Sequence, residues 1–200
     1  MKRIRKVKVT KIFQLSENMK RITFSSIDLN DFPEDQNGGY VKFLFKKKSS
    51  DKLDSLARPY TIRDFRRPSL ELDVDFSYHS GNQGYATKWA YEARIGDEIS
   101  ISGPGSKQSI DYHAKWFFFV GDMTSLPAIS SYLEKLPSKA RGYAVIEIKS
   151  INDKVLLKKP QHLEIKWIVK SQVDQNPQEL IDVVKKINWR DSKPYVWVAC

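Results

Sequence analysis

The chain has 200 residues, with 34 Lys and Arg against 24 Asp and Glu, a net charge of +10. That length suits one large domain or two small ones and needs no disulfide or metal staple. A single cysteine excludes an internal disulfide framework, and no apolar run reaches membrane-spanning length. The charge favours anionic partners (nucleic acid, acidic lipid, nucleotide cofactors or an anionic small substrate) without choosing among them.

The basic start, Met1–Lys8, has no apolar core after it, so it is not a signal peptide and a cytoplasmic location is expected. Residues 3–13 alternate basic and apolar, the period of a strand with one solvated cationic face. Met19–Ser25 gives a second strand. Asp28–Gly39, with Pro33 and Gly38-Gly39, reads as a loop. Tyr40–Phe45 is a strong strand that runs into Lys46-Lys47-Lys48 and a polar loop. Arg58–Asp64, a turn at Pro68 and the clean alternation of Leu70–Phe76 follow. Six short, turn-bounded strands by Ser102 predict an antiparallel β-barrel of Greek-key type over residues 1–112.

Ala57–Arg63 holds the most chemistry. Arg58 offers a permanent guanidinium suited to phosphate, and Tyr60 a ring suited to stacking on a flat heterocycle. Pro59 stiffens the backbone, and the Thr61 hydroxyl can hydrogen-bond a ring nitrogen. Together they read as a clamp for a flavin nucleotide; the plain alternative is an edge strand with a surface arginine. Further on, Tyr78–Gly84 is rich in glycine and small polar residues and leads into a helix over Ala86–Ala93. A small-residue turn opening a helix presents backbone N–H groups to an anion such as a pyrophosphate. The alternative is a connecting helix capped by Thr87. Gly96-Asp97 reads as a hairpin turn, and Gly103-Pro104-Gly105 as a turn, since no Gly-Lys-Ser/Thr follows.

After Tyr112 the pattern changes. Trp116–Val120 is a continuous apolar run, as a doubly buried parallel strand requires. Gly121–Pro127 and an amphipathic helix through Leu136 complete the strand–turn–helix layout of a nucleotide phosphate site. Strands at Ala144–Ile148, Ile165–Val169 and Tyr195–Ala199, with a helix over Pro177–Ile187, predict a parallel α/β domain over residues 113–200. The last strand runs to Cys200 with no covering helix, so a longer natural chain is expected. His79, His113 and His162 are dispersed and form no metal-ligand spacing.

Three motifs in order resemble siderophore-interacting proteins, FAD-dependent ferric-siderophore reductases of the ferredoxin-reductase-like superfamily. Asp73–Ala90 is similar to that family's His-…-Gly-x-Ala-Ser/Thr-x-Trp-Ala segment. Gly121–Ala128 (Gly-Asp-Met-Thr-Ser-Leu-Pro-Ala) is similar to its Gly-Asp-Glu-Thr-Ala-Leu-Pro-Ala, and Trp197–Cys200 to the start of its last motif. The resemblance implies that Arg58 holds the FAD phosphates, Tyr60 stacks on the isoalloxazine and Thr61 lies near its reactive N5. His79 would contact the cofactor, and the backbone of Gly84, Ala86 and Thr87 would cradle the pyrophosphate. Gly121, Asp122 and Thr124 would line the nicotinamide side. Met123 replaces the family's usual Glu, and Cys200 its usual Gly.

The implied activity passes electrons from a reductant through flavin to a ferric siderophore, with no protein-bound metal and no acid–base residue. NADPH, NADH and ferredoxin stay open as donor. Lys149 and Asp153 both follow the second parallel strand and do not decide between the two nicotinamides. Lys46, Lys47 and Lys48, with Arg66 and Arg67, are the candidate attractors of an anionic siderophore. A monomer without nucleic-acid or integral membrane contact is expected. The competing readings are a flavin reductase with another acceptor and a nucleic-acid-binding barrel, the latter leaving residues 113–200 unexplained.

Overall fold

The computed structural model describes residues 3–46, 55–78, 84–170, 178–190 and 192–199; nothing is said of the side chains of Lys46 and Ser55. The chain divides into two compact units, Met1–Leu15 with Met19–Gln108, and Ser16–Asn18 with Ser109–Cys200.

The first unit is built on an antiparallel sheet of seven strands: β1 (Ile4–Ser16), β2 (Met19–Ser25), β3 (Tyr40–Lys46), β4 (Ser55–Thr61), β5 (Asp64–Arg66), β6 (Glu71–Ser77) and β7 (Glu98–Ser102). Their order is β4-β3-β7-β1-β2-β6-β5. The count is seven rather than the expected six because Arg58–Asp64 is not one strand. The chain turns at Ile62-Arg63, where Ile62 exchanges backbone hydrogen bonds with Gly38 and Gly39 and the Arg63 N–H donates to Asp73. β4 and β6 lie near opposite ends of the strand order, yet the Tyr60 and Phe76 rings are 4.5 Å apart, so the sheet curls over its core.

Strand β1 shows why the alternation works. Val7 and Val9 point inward while Lys6 and Lys8 face solvent. The same period forces Arg5 inward and Ile4 outward, the reverse of what their polarity suggests. Arg5 is tolerated because its guanidinium donates to the carbonyls of Gly103 at 2.7 Å and Asp28 at 3.0 Å and to Asp31 at 3.0 Å. A buried cation needs such full pairing.

Helix α1 (Tyr85–Glu92) starts after Gly84, which occupies the N-cap position; Thr87 lies in the first turn and is not the cap. Ala86, Ala90 and Trp89 pack on the core formed by Phe24, Phe43, Phe45 and Phe76. The Lys20 ammonium donates to the carbonyls of Ala90 and Tyr91 and lies 4.4 Å from the Tyr91 ring. A cation on the last carbonyls satisfies acceptors that the helix leaves open.

The second unit is a parallel sheet of β8 (Phe117–Gly121), β9 (Arg141–Ile148), β10 (His162–Val169) and β11 (Tyr195–Ala199), ordered β10-β9-β8-β11. All five residues of β8 are buried, as the unbroken apolar run predicts. Helix α3 (Gln178–Lys185) packs Leu180, Val183 and Val184 on one face against Trp116, Phe118 and Tyr143. Helix α2 (Leu126–Leu133) places Tyr132 against Phe119 and Trp197.

A short 3₁₀ turn, Ile151–Asp153, follows β9. Asp153 is fully buried there. Its carboxylate accepts from Ser16 Oγ at 2.8 Å, Asn18 N at 2.7 Å, Asn18 Nδ2 at 2.9 Å and Ser150 N at 3.0 Å.

Candidate functional site

In the first unit, the residues of the expected flavin clamp gather at the end of β4 and the start of α1. Arg58 is exposed; its guanidinium donates to the Ala57 carbonyl at 3.2 Å and meets no carboxylate among the described residues. Pro59 beside it is also exposed, on a strand that ends the sheet order, the place in a sheet where proline is tolerated. Tyr60 is half-buried. Its ring rests on Phe76 at 4.5 Å and edge-on to Phe43 at 5.6 Å. Its hydroxyl is hydrogen-bonded to the Thr87 side chain. Burial pushes the Tyr60 phenol above the usual tyrosine range, against the smaller opposing pulls of Thr87 and the Arg58 charge. The phenol is therefore neutral at physiological pH. Thr61 is half-buried at the end of β4, opposite Tyr40.

The start of α1 fits an anion. No side chain caps it, and a Cβ built on Gly84 meets nothing within 4 Å. The first-turn N–H groups of a helix lack intrahelical partners and carry the positive end of its dipole. An open cradle of backbone donors, an exposed arginine and an anchored aromatic ring are a donor set that fits a flavin dinucleotide. His79 lies outside the described residues, as do Lys47, Lys48 and the Lys46 side chain.

The turn after β8 is built differently. One oxygen of Asp122 accepts from Thr124 N at 2.8 Å, Thr124 Oγ1 at 2.7 Å and Ser125 N at 3.1 Å. The Asp122 carbonyl accepts from Ser125 Oγ and Leu126 N. The donors that the strand–turn–helix layout would offer to a phosphate are thus spent on Asp122. Gly121 is required by close approach: a Cβ there would lie 2.0 Å from Ser125 Oγ and 3.0 Å from the Ala199 carbonyl. The turn is a closed, self-capped surface on which a ring could rest, rather than an open phosphate cradle.

Arg66 and Arg67 are engaged within the fold. Arg66 donates to Asp64 at 2.8 Å, to both oxygens of Asp73 at 2.7 and 2.9 Å, and to Glu71 at 3.2 Å. Arg67 pairs with Glu34 at 3.1 Å and donates to the Asn30 and Phe32 carbonyls. Neither guanidinium is held out for an anionic ligand, which weighs against the expected substrate role. Sequence reasoning missed two supports of the clamp, the Tyr60–Thr87 bond and Lys20 at the far end of α1. The small–aromatic–small spacing of Ala86, Trp89 and Ala90 signalled the buried face of α1. Nothing local signalled Lys20.

Residues 8–108 match the siderophore-interacting FAD-binding domain, and residues 114–200 match the siderophore-interacting protein family. The chain is 36% identical over 179 residues to the ferric vibriobactin reductase ViuB of Vibrio cholerae, covering 82% of this chain and 65% of that protein. It thus spans just under two thirds of that relative's length. Over 101 residues it is 30% identical to the NADPH-dependent ferric-chelate reductase of Escherichia coli K12, covering 49% of this chain and 39% of that one. The crystal structure of the siderophore-interacting protein SipS from Aeromonas hydrophila superposes with a TM-score of 0.86 at 31% identity, covering 98% of this chain and 79% of that one. From the antiparallel flavin-type unit through the parallel α/β unit, the chain belongs to the siderophore-interacting protein family.

Proposed function

We propose that this chain carries the flavin and nicotinamide units of an FAD-dependent reductase that delivers electrons from NAD(P)H to ferric siderophores. The observation that carries this is the exposed Arg58, without a carboxylate partner among the described residues, beside the anchored Tyr60 ring and the uncapped start of α1, inside the matched FAD-binding domain. When bound, FAD accepts two electrons as hydride and releases them singly, as Fe(III) requires. One NAD(P)H becomes NAD(P)⁺ and two ferric chelates become ferrous, with one proton released.

The chain's own residues bind and orient. Arg58 would hold the FAD phosphates, the ring of Tyr60 would support the isoalloxazine, and the Thr61 hydroxyl would lie near its N5. The backbone N–H groups of Gly84, Ala86 and Thr87 would hold the pyrophosphate, and His79 is assigned a contact with the cofactor. Gly121, Asp122 and Thr124 would line the nicotinamide side. Lys46 ends β3, Lys47 and Lys48 follow it in sequence, and the three would supply a positive field for an anionic siderophore; Arg66 and Arg67 stay with the fold. The reaction belongs to the cytoplasm, where NAD(P)H is supplied.

The test is an absorbance spectrum of the purified protein supplied with FAD, taken anaerobically. Bound flavin should bleach with NADPH or NADH and recover on adding a ferric siderophore, with ferrous iron trapped by a chelating dye. Failure to retain FAD, or reduced flavin left unchanged by the ferric chelate, overturns the reading.

A further inference from the structure

Helix α1 does not close its own end. Ala93 leaves it with φ −58° and ψ 139°, and the Arg94 N–H donates forward to Asp97 at 2.8 Å instead of back to the helix. No residue of the last turn is basic. The carbonyls of a last helical turn lack intrahelical donors. Here the donor comes from a strand. The Lys20 ammonium of β2 donates to the Tyr91 carbonyl at 3.0 Å and to the Ala90 carbonyl at 3.4 Å.

The same ammonium lies 4.4 Å from the Tyr91 ring, and that ring lies 4.4 Å from the ring of Tyr78. Lys20 is itself paired with Phe76 in the β2–β6 ladder, just before Tyr78 in the chain. Tyr78 and Tyr91 stand at the two ends of the stretch that holds Gly84, Ala86 and Thr87. One cation therefore fastens the end of α1 to the strand that leads into it, and the ring pair closes the base of that stretch. Burial pulls the Lys20 ammonium below the usual lysine range; the two carbonyls and the ring face are what receive the charge there. That charge also answers the negative end of the α1 dipole and leaves the positive start unopposed toward an anion. Glu92, the acid of the last turn, is exposed and lies 3.9 Å from Lys88.

We propose that Lys20 is a positioning residue for the FAD pyrophosphate: acting through Tyr91 and the last carbonyls of α1, it holds the helix so that the first-turn N–H groups meet the anion already aligned. This rests on the reading that the start of α1 receives the pyrophosphate.

Fluorescence titration of the apoprotein with FAD and with riboflavin, which lacks the pyrophosphate, tests it. Lys20→Met should weaken FAD binding by about tenfold and riboflavin binding by no more than about twofold. Lys20→Arg keeps a cation and its donors, and should stay within about threefold of the parent for FAD. Tyr91→Leu should weaken FAD as well. The double variant should lose less than the two single losses combined, because both cut one connection. Equal weakening of FAD and riboflavin, or an Arg variant no better than Met, would reduce Lys20 to a prop of the fold and overturn the proposal. A parent that binds FAD, with Lys20→Met binding it equally well, sinks this inference and leaves the proposed function standing. A parent that binds no FAD removes both.

Discussion

The Tyr60 hydroxyl is hydrogen-bonded to the Thr87 side chain, which joins the end of β4 to the first turn of α1. The ring that would carry the isoalloxazine and the helix start that would hold the pyrophosphate are thereby fixed to each other before any ligand arrives. Tyr60→Phe removes only the hydroxyl and should cost about 1 kcal/mol of stability. Tyr60→Ala also removes the contacts with Phe43 and Phe76 and should cost roughly 1–3 kcal/mol. Retained FAD, read as the ratio of flavin to protein absorbance, should fall in the order parent, Phe, Ala. Equal retention in all three would show that the ring is only part of the core.

Arg58→Ala should leave the thermal midpoint unchanged, because the side chain is exposed and makes no ion pair among the described residues. FAD affinity should drop by about tenfold or more, since a charge-assisted hydrogen bond contributes roughly 1.5–3 kcal/mol. Arg58→Lys should recover only part of this, because the ammonium cannot make a two-pronged contact. Fluorescence titration of the apoprotein with FAD reads both.

Gly84 and Gly121 should respond oppositely to a methyl group. Gly121→Ala forces a Cβ against Ser125 and the Ala199 carbonyl, and should destabilise by roughly 1–3 kcal/mol in a denaturant melt. Gly84 has φ −62° and open space before it, so Gly84→Ala should leave the melt within about 0.5 kcal/mol. If the pyrophosphate rests there, the same methyl group should weaken FAD binding. A Gly84→Ala protein with parental FAD affinity would place the phosphates elsewhere.

Asp73 gives the first unit an acid-sensitive joint. Burial pushes its carboxyl up, but hydrogen bonds from Arg66 and Thr23 and the charges of Arg66 and Arg21 outweigh burial and hold it below the usual aspartate range. A carboxyl depressed by folding stabilises the fold above its unfolded value near pH 4. That contribution is lost as pH falls through the lower folded value. Arg66→Gln should destabilise by about 2 kcal/mol at pH 7 and by less at pH 3. The melting curves of parent and variant should therefore converge on acidification; a constant gap would mean that Arg66 acts by packing alone.

Much of this was legible in the sequence wherever a periodic signal met burial. The alternation in residues 3–13 gave β1 and its lysine face, and the run from Trp116 to Val120 gave the buried strand β8. What escaped was decided by partners distant in the chain. Arg5 reads as surface until Asp31 and Gly103, far along the chain, are known to face it. The three-residue β5 is too short to show a period and exists because Asp73, Leu72 and Glu71 pair with it. Among site residues, Arg58–Thr61 stood out by composition. The closure of the Asp122 turn and the reach of Lys20 to the end of α1 did not, because both depend on side-chain direction.

The bonds from Ser16 and Asn18 to Asp153 link positions 135 to 137 residues apart. During synthesis the donors emerge first, and 135 to 137 further residues must follow before their acceptor appears. Contacts of such separation are slow to form, because loop closure is costly until neighbouring structure repays it. A fragment beginning at Ser109 would contain the entire parallel sheet and still bury a carboxylate stripped of three of its hydrogen bonds. The α/β unit is thus not separable by one cut, and a functional graft of it onto another protein would have to bring a Ser-x-Asn turn with it.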